Sequence, residues 1–98
     1  MKYKVDISPL AYSEIIDSVS FLKKVSSKAA EELFQNVIQA IRSLEDFPLR
    51  YPTDETFKVS IEEERKMVLG NGRYQIFYCV VNDTVYVECF HDSRKQQR

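Results

Sequence analysis

What the chain has little of narrows it first. No apolar run in its 98 residues exceeds a few positions, and Met1 leads straight into a charged, strand-like segment where a secretory leader would place an apolar core. A membrane span is therefore not expected, and the expected compartment is the cytoplasm. Fourteen Lys and Arg against fifteen Asp and Glu leave a formal net charge of -1, which excludes a whole-molecule field that draws in nucleic acid. Any polyanion site has to be local. Asp54, Glu55, Glu62, Glu63 and Glu64 do make one stretch acidic, while Arg94, Lys95 and Arg98 make the tail basic. Histidine occurs once, and the two cysteines, Cys79 and Cys89, are not closely spaced, so no zinc signature exists and neither a metal nor a cofactor is expected.

What is present suits one small folded domain over residues 1–98. A hydrophobic fraction of 44% is too high for intrinsic disorder, yet the length allows only one modest core. Lys2 to Ile7 alternates charged and apolar residues as a half-buried edge strand does. Ser8-Pro9 then pairs an N-cap residue with proline at the first helical position, and Ala11, Ile15, Val19 and Leu22 recur at helical spacing, predicting a helix over 9–24. Ser26-Ser27 offers a second N-cap. The stripe Ala30, Leu33, Val37, Ile41, Leu44 predicts a second helix to about Asp46, antiparallel to the first. Residues 50–64 are patternless and read as loop. Arg65 to Leu69, Arg73 to Val81 and Thr84 to His91 read as strands, the first two joined by a tight Gly70-Asn71-Gly72 turn. The expected architecture is α+β, β-α-α-β-β-β, with a helical hairpin packed on one face of a mainly antiparallel four-stranded sheet.

Asn82-Asp83 predicts a two-residue reversal, which sets Val81 against Thr84, Cys79 against Tyr86 and Cys89 against Ile76. Uninterrupted alternation then sends Tyr74, Ile76, Tyr78, Val80, Val85, Val87, Cys89 and His91 toward the helices. Gln75, Phe77, Cys79, Tyr86, Glu88, Phe90 and Asp92 face outward, with Arg73 opposite Asp92 as an ion pair worth a few tenths of a kcal/mol. The two thiols fall on opposite faces, where no disulfide can form. Outward Phe77, Tyr86 and Phe90 are more apolar surface than a small monomer tolerates. Either a partner covers them or the loop 50–64 folds back over them.

The wording ISPLAYSEI, LEDFPLRYP, GRYQIFYCV and FHDSR, in this order along nearly the whole chain, resembles the RelE/ParE superfamily of bacterial toxins. The resemblance implies the toxin half of a type II toxin-antitoxin module, neutralised by a cognate antitoxin that wraps a segment over it. Operator DNA is then met only through the antitoxin. RelE-like relatives cut mRNA on the ribosome, and ParE-like relatives act on gyrase. Carried over to this chain, the cutting set maps onto Lys66, Arg73, His91 and Arg94 and is incomplete: Val68 stands where a second lysine belongs, Gln75 where an arginine does, and no tyrosine follows Arg94 and Lys95. His91 serves as general acid or base if it reaches the site, or as a satisfied histidine at the sheet's end if it faces the helices. The face Gln75, Phe77, Tyr86, Glu88, Phe90 and Lys95 is expected to meet antitoxin or target. Three functions follow as expectations: a toxin that blocks gyrase or a similar machine by binding, a metal-independent, ribosome-dependent endoribonuclease, and a non-toxic interaction module.

Overall fold

The computed structural model describes residues 2–54 and 62–93. Its elements are β1 (Lys4–Ile7), α1 (Pro9–Lys23), α2 (Ser27–Ser43), a short 3-10 turn (Pro48–Arg50), β2 (Arg65–Leu69), β3 (Tyr74–Val81) and β4 (Thr84–Asp92). The two helices start where the caps predict. Ser8 Oγ accepts the Ala11 N–H at 3.0 Å, and Ser26 Oγ accepts the Ala29 N–H at 3.1 Å. Helix α2 ends at Ser43, earlier than its apolar stripe suggests, because Leu44 turns back into the core as the C-cap.

The sheet order is β1-β4-β3-β2, with β1 parallel to β4 and the other pairs antiparallel. One face packs on the helical hairpin. There Ala11 and Ile15 of α1 and Leu33, Val37 and Ile41 of α2 meet Met67, Tyr74, Ile76, Tyr78, Val85, Val87 and Phe90. Each large side chain fully buried in such a layer contributes about 1.5–3 kcal/mol. Tyr78 donates its hydroxyl to the Pro48 carbonyl, which pins the 3-10 turn to the middle of β3. Among the described residues no helix is long and apolar enough to cross a membrane.

The β3–β4 reversal is where it was expected, with Asn82 at φ 56 and Val81 paired to Thr84. The expected register then holds only as far as Tyr78 and Val87. Beyond it the pairs are Phe77 with Cys89, Ile76 with Phe90, Gln75 with His91 and Tyr74 with Asp92. Glu88 is an extra residue, a β-bulge, and one extra residue exchanges the faces of everything after it. Cys89 therefore does not meet Ile76, and Arg73 does not meet Asp92. Phe90 turns inward and stacks on Tyr74 with centroids 5.6 Å apart, and Asp92 turns inward to accept the Ser18 hydroxyl at 3.2 Å. Cys79 and Cys89 share the outer face and are both free thiols.

The cause lies at the start of α1. Strand β1 pairs with β4 only to Val87, and the helix begins there. Ser8 N–H then reaches the Val87 carbonyl at 2.9 Å, Ser8 Oγ donates to the Glu88 carbonyl at 2.9 Å, and Glu14 Oε1 accepts the Phe90 N–H at 2.9 Å. Side chains of the helix thus satisfy the backbone groups that a longer β1 would have paired.

Replacing Tyr78 by Phe should leave the buried Pro48 carbonyl without its donor at a cost of about 1–3 kcal/mol. Urea denaturation checks this; a change below about 0.5 kcal/mol would mean that the turn is not held through Tyr78.

Candidate functional site

The candidate site is the sheet face turned away from the helices, with the adjoining end of β3 and β4. Alternation from the core residues Met67, Ile76 and Val85 places on it the rows Lys66–Phe77–Cys89, Val68–Gln75–His91 and Cys79–Tyr86. His91 thus stands on the outer face beside Gln75, half-buried, where unbroken alternation sends it toward the helices. The bulge brings it there.

The apolar docking surface expected on this face is largely closed. Phe77 is 1% exposed and Phe90, under the helices, 2%, so of the three aromatics only Tyr86, at 39%, is available. Phe90 is lost to the surface through the register slip. On the loop side, the described segments run along the free edge of β2: Lys66 N–H bonds the Pro52 carbonyl at 3.0 Å and Asp54 N–H the Glu64 carbonyl at 2.9 Å, and Glu64 is fully buried. An apolar opening lies elsewhere. It is a cleft of about 480 Å³ between the 3-10 turn and the β3–β4 reversal, lined by Tyr3, Phe47, Pro48, Leu49 and their neighbours. Phe47 stands mostly exposed beside it in the left-handed region, φ 49 and ψ 52, a conformation a bulky residue adopts only when its surroundings impose it.

The basic candidates are scattered. Lys66 places its Nζ 3.0 Å from Asp54 Oδ2, so its charge is already matched. Arg73 is exposed in the turn that follows Gly72; its carbonyl accepts the Ser93 N–H at 2.8 Å, which keeps it two residues beyond the Gln75–His91 row. Lys66 and Gln75 are diagonal neighbours on adjacent strands, about 7–8 Å apart at the backbone. Arg94 and Lys95 lie outside the described residues. The described members of the cutting set thus share one region, with Lys66 matched by Asp54.

The sequence pattern missed an acidic and thiol-bearing group on the same face. Cys79 Sγ donates to Glu88 Oε2 at 3.3 Å, and one donor atom each from Glu64, Cys79 and Glu88 lie within 4.8 Å of one another. Burial pushes the neighbouring Cys89 thiol up to about 12, and the carboxylates of Glu14, Glu64 and Glu88 push the same way. Burial also lifts Tyr78 to about 12 against the pull of Arg65. Glutamates at 64 and 88, on strands otherwise rich in apolar residues, were the available signal.

No protein-family model matches the sequence, and no curated protein matches it. Solved structures do. A chain of the chromosomal ParDE TA system from P. aeruginosa superposes with a TM-score of 0.71 at 11% identity, covering 93% of this chain and 96% of that one. A chain of the intact E. coli RelBE toxin-antitoxin complex matches with a TM-score of 0.50 at 21% identity, over 98% of this chain and 99% of that one. The chain therefore has the ParE/RelE-like fold, as expected from its sequence. Identity this low carries the architecture and leaves activity to the chemistry of the site.

Both upward pKa shifts mean that the folded state keeps protons which the unfolded chain releases near 9.0 for Cys89 and 10.0 for Tyr78. Stability should be insensitive to these groups below about pH 9 and fall as pH rises toward about 12. Cys89→Ala should remove the part of that fall that begins near 9. Denaturation midpoints at several alkaline pH values check this, and identical profiles for the two proteins would refute it.

Proposed function

We propose that the chain is the toxin half of a type II toxin-antitoxin module. On this reading it acts in the cytoplasm by binding and blocking an essential machine in the manner of a gyrase inhibitor, and a cognate antitoxin neutralises it. The observation that carries the choice of binding over cutting is the charge of the outer sheet face. In-line attack on a phosphodiester needs cations where negative charge develops. Lys66 is matched by Asp54, and Glu64, Glu88 and the thiols of Cys79 and Cys89 occupy the same face. Stable binding to a ribosome also favours a positive surface, and the chain is net negative.

The antitoxin's apolar contacts, on this reading, fall on Tyr86 and on the cleft beside Phe47 and Leu49, since Phe77 and Phe90 are buried. Ordering a wrapping segment costs conformational entropy, which exposed apolar area has to offset. Any contact with operator DNA then comes through the antitoxin.

A second reading, a ribosome-dependent endoribonuclease acting on mRNA, is favoured by one observation. The bulge turns His91 outward beside Gln75, at the end of the sheet that carries Arg73, and a histidine there can move protons near neutral pH.

Expression without antitoxin should arrest growth. The purified protein should inhibit gyrase supercoiling, and His91→Ala should keep its toxicity. Primer extension showing cuts at A-site codons that vanish in His91→Ala would replace the binding reading with the nuclease one.

A further inference from the structure

We propose that the cleft between the 3-10 turn and the β3–β4 reversal receives an acidic segment of the antitoxin, which buries a large apolar side chain beside Phe47 and Leu49 and sets a carboxylate against Arg50. The inference deepens the antitoxin reading above and rests on it. The turn opens on a residue held against its own preference: Phe47 takes φ 49 and ψ 52, left-handed backbone that a bulky side chain rarely adopts, and its ring gains little burial in return, being 77% exposed. Leu49 is exposed as well. Pro48 between them is buried, and its carbonyl accepts the Tyr78 hydroxyl, while the Arg50 N–H closes the turn on the Phe47 carbonyl at 3.2 Å. The anchored proline thus holds two apolar side chains out to solvent at the mouth of a cleft of about 480 Å³. Packing within the chain explains neither the strain nor the exposure of Phe47; contact with a partner explains both.

Charge at the rim selects the partner. Of the two cations lining the cleft, Lys2 is paired with Glu45 at 3.4 Å, whereas Arg50 meets no carboxylate among the described residues. The Arg50 guanidinium is nonetheless fixed in place. It donates to the Asp46 carbonyl and to the Tyr51 hydroxyl, each at 3.2 Å, and lies 4.9 Å from the centre of the Tyr51 ring. A guanidinium steadied in this way keeps donors for an incoming carboxylate and loses little freedom when it arrives. Asp83, also in the lining, accepts the Thr84 hydroxyl at 3.0 Å. A second copy of this chain docking through the same cleft would bring two more cations to the rim, and like charges disfavour it. A segment that is both acidic and apolar matches the cleft on both counts. Because such a segment orders as it wraps, a prearranged anchor point offsets part of its lost entropy.

The test takes the purified full-length chain and, as probe, the small protein encoded beside it, with affinities measured by isothermal titration at two salt concentrations. Leu49→Ser and Arg50→Gln should each weaken the complex at least about tenfold. Arg50→Gln should also flatten its salt dependence, which a merely structural role leaves unchanged. Phe47→Asn, whose side chain tolerates left-handed backbone, should keep or raise the Tm of the free protein while weakening the complex. Lys28→Gln removes the same charge from the exposed start of α2 and should bind as the parent does. Circular dichroism confirms that each variant is folded, and Arg50→Gln tests the cleft if Leu49→Ser does not fold. A complex whose affinity and salt dependence are the same in the parent, Leu49→Ser and Arg50→Gln would overturn the inference and leave the antitoxin reading standing, whereas absence of any complex would overturn both. A concentration-dependent dimer of the free chain that Leu49→Ser dissociates would assign the cleft to a second copy and overturn it as well.

Discussion

The structure depends on a constraint at the junction of β1 and α1. Strand β1 is only four residues long, so the outer edge of β4 loses its partner after Val87. Unpaired backbone groups there would be costly if left buried. Ser8 and Glu14 satisfy them, and the geometry of that arrangement accommodates Glu88 as an extra residue in the strand. All later positions of β4 change face as a result. Phe90 joins the core, Asp92 caps Ser18 inside the hairpin, and Cys89 and His91 turn out.

This explains which parts were legible in the sequence. The helices and strands follow from local signals: serine caps, a proline in the first turn, apolar stripes at helical spacing and left-handed glycine and asparagine in the turns. Their arrangement follows from the same periodicities, down to the edge position of β1. The face of residues 89–92 does not, because alternation carries no mark of a bulge whose cause lies eighty residues away at Ser8. A hint existed in Phe90, which a uniform alternation leaves in solvent while sending His91 to the core, an exchange of roles that burial preferences disfavour. The fate of Phe77 was also hidden, since one of the two alternatives, closure of the face, depends on loop contacts that have no periodicity.

The same slip reshapes the candidate site. It removes Phe90 from the expected docking surface, while Phe77 is buried on the outer face itself, and a thiol and two glutamates lie there where a nuclease would want cations. His91 gains access, yet Lys66 is held by Asp54, and the pocket that His91 lines also carries Glu14, Asp17 and Asp92. Similarity to ParDE and RelBE chains carries the architecture alone. The proposed choice of binding over cutting rests on the balance of charge on one sheet face.

The register beyond the bulge is open to direct measurement by cross-strand nuclear Overhauser effects in the folded protein. Contacts linking Phe77 with Cys89 and Gln75 with His91 are the predicted result. Contacts linking Ile76 with Cys89, and Phe90 with no core residue of α1 or α2, would contradict the account at its root.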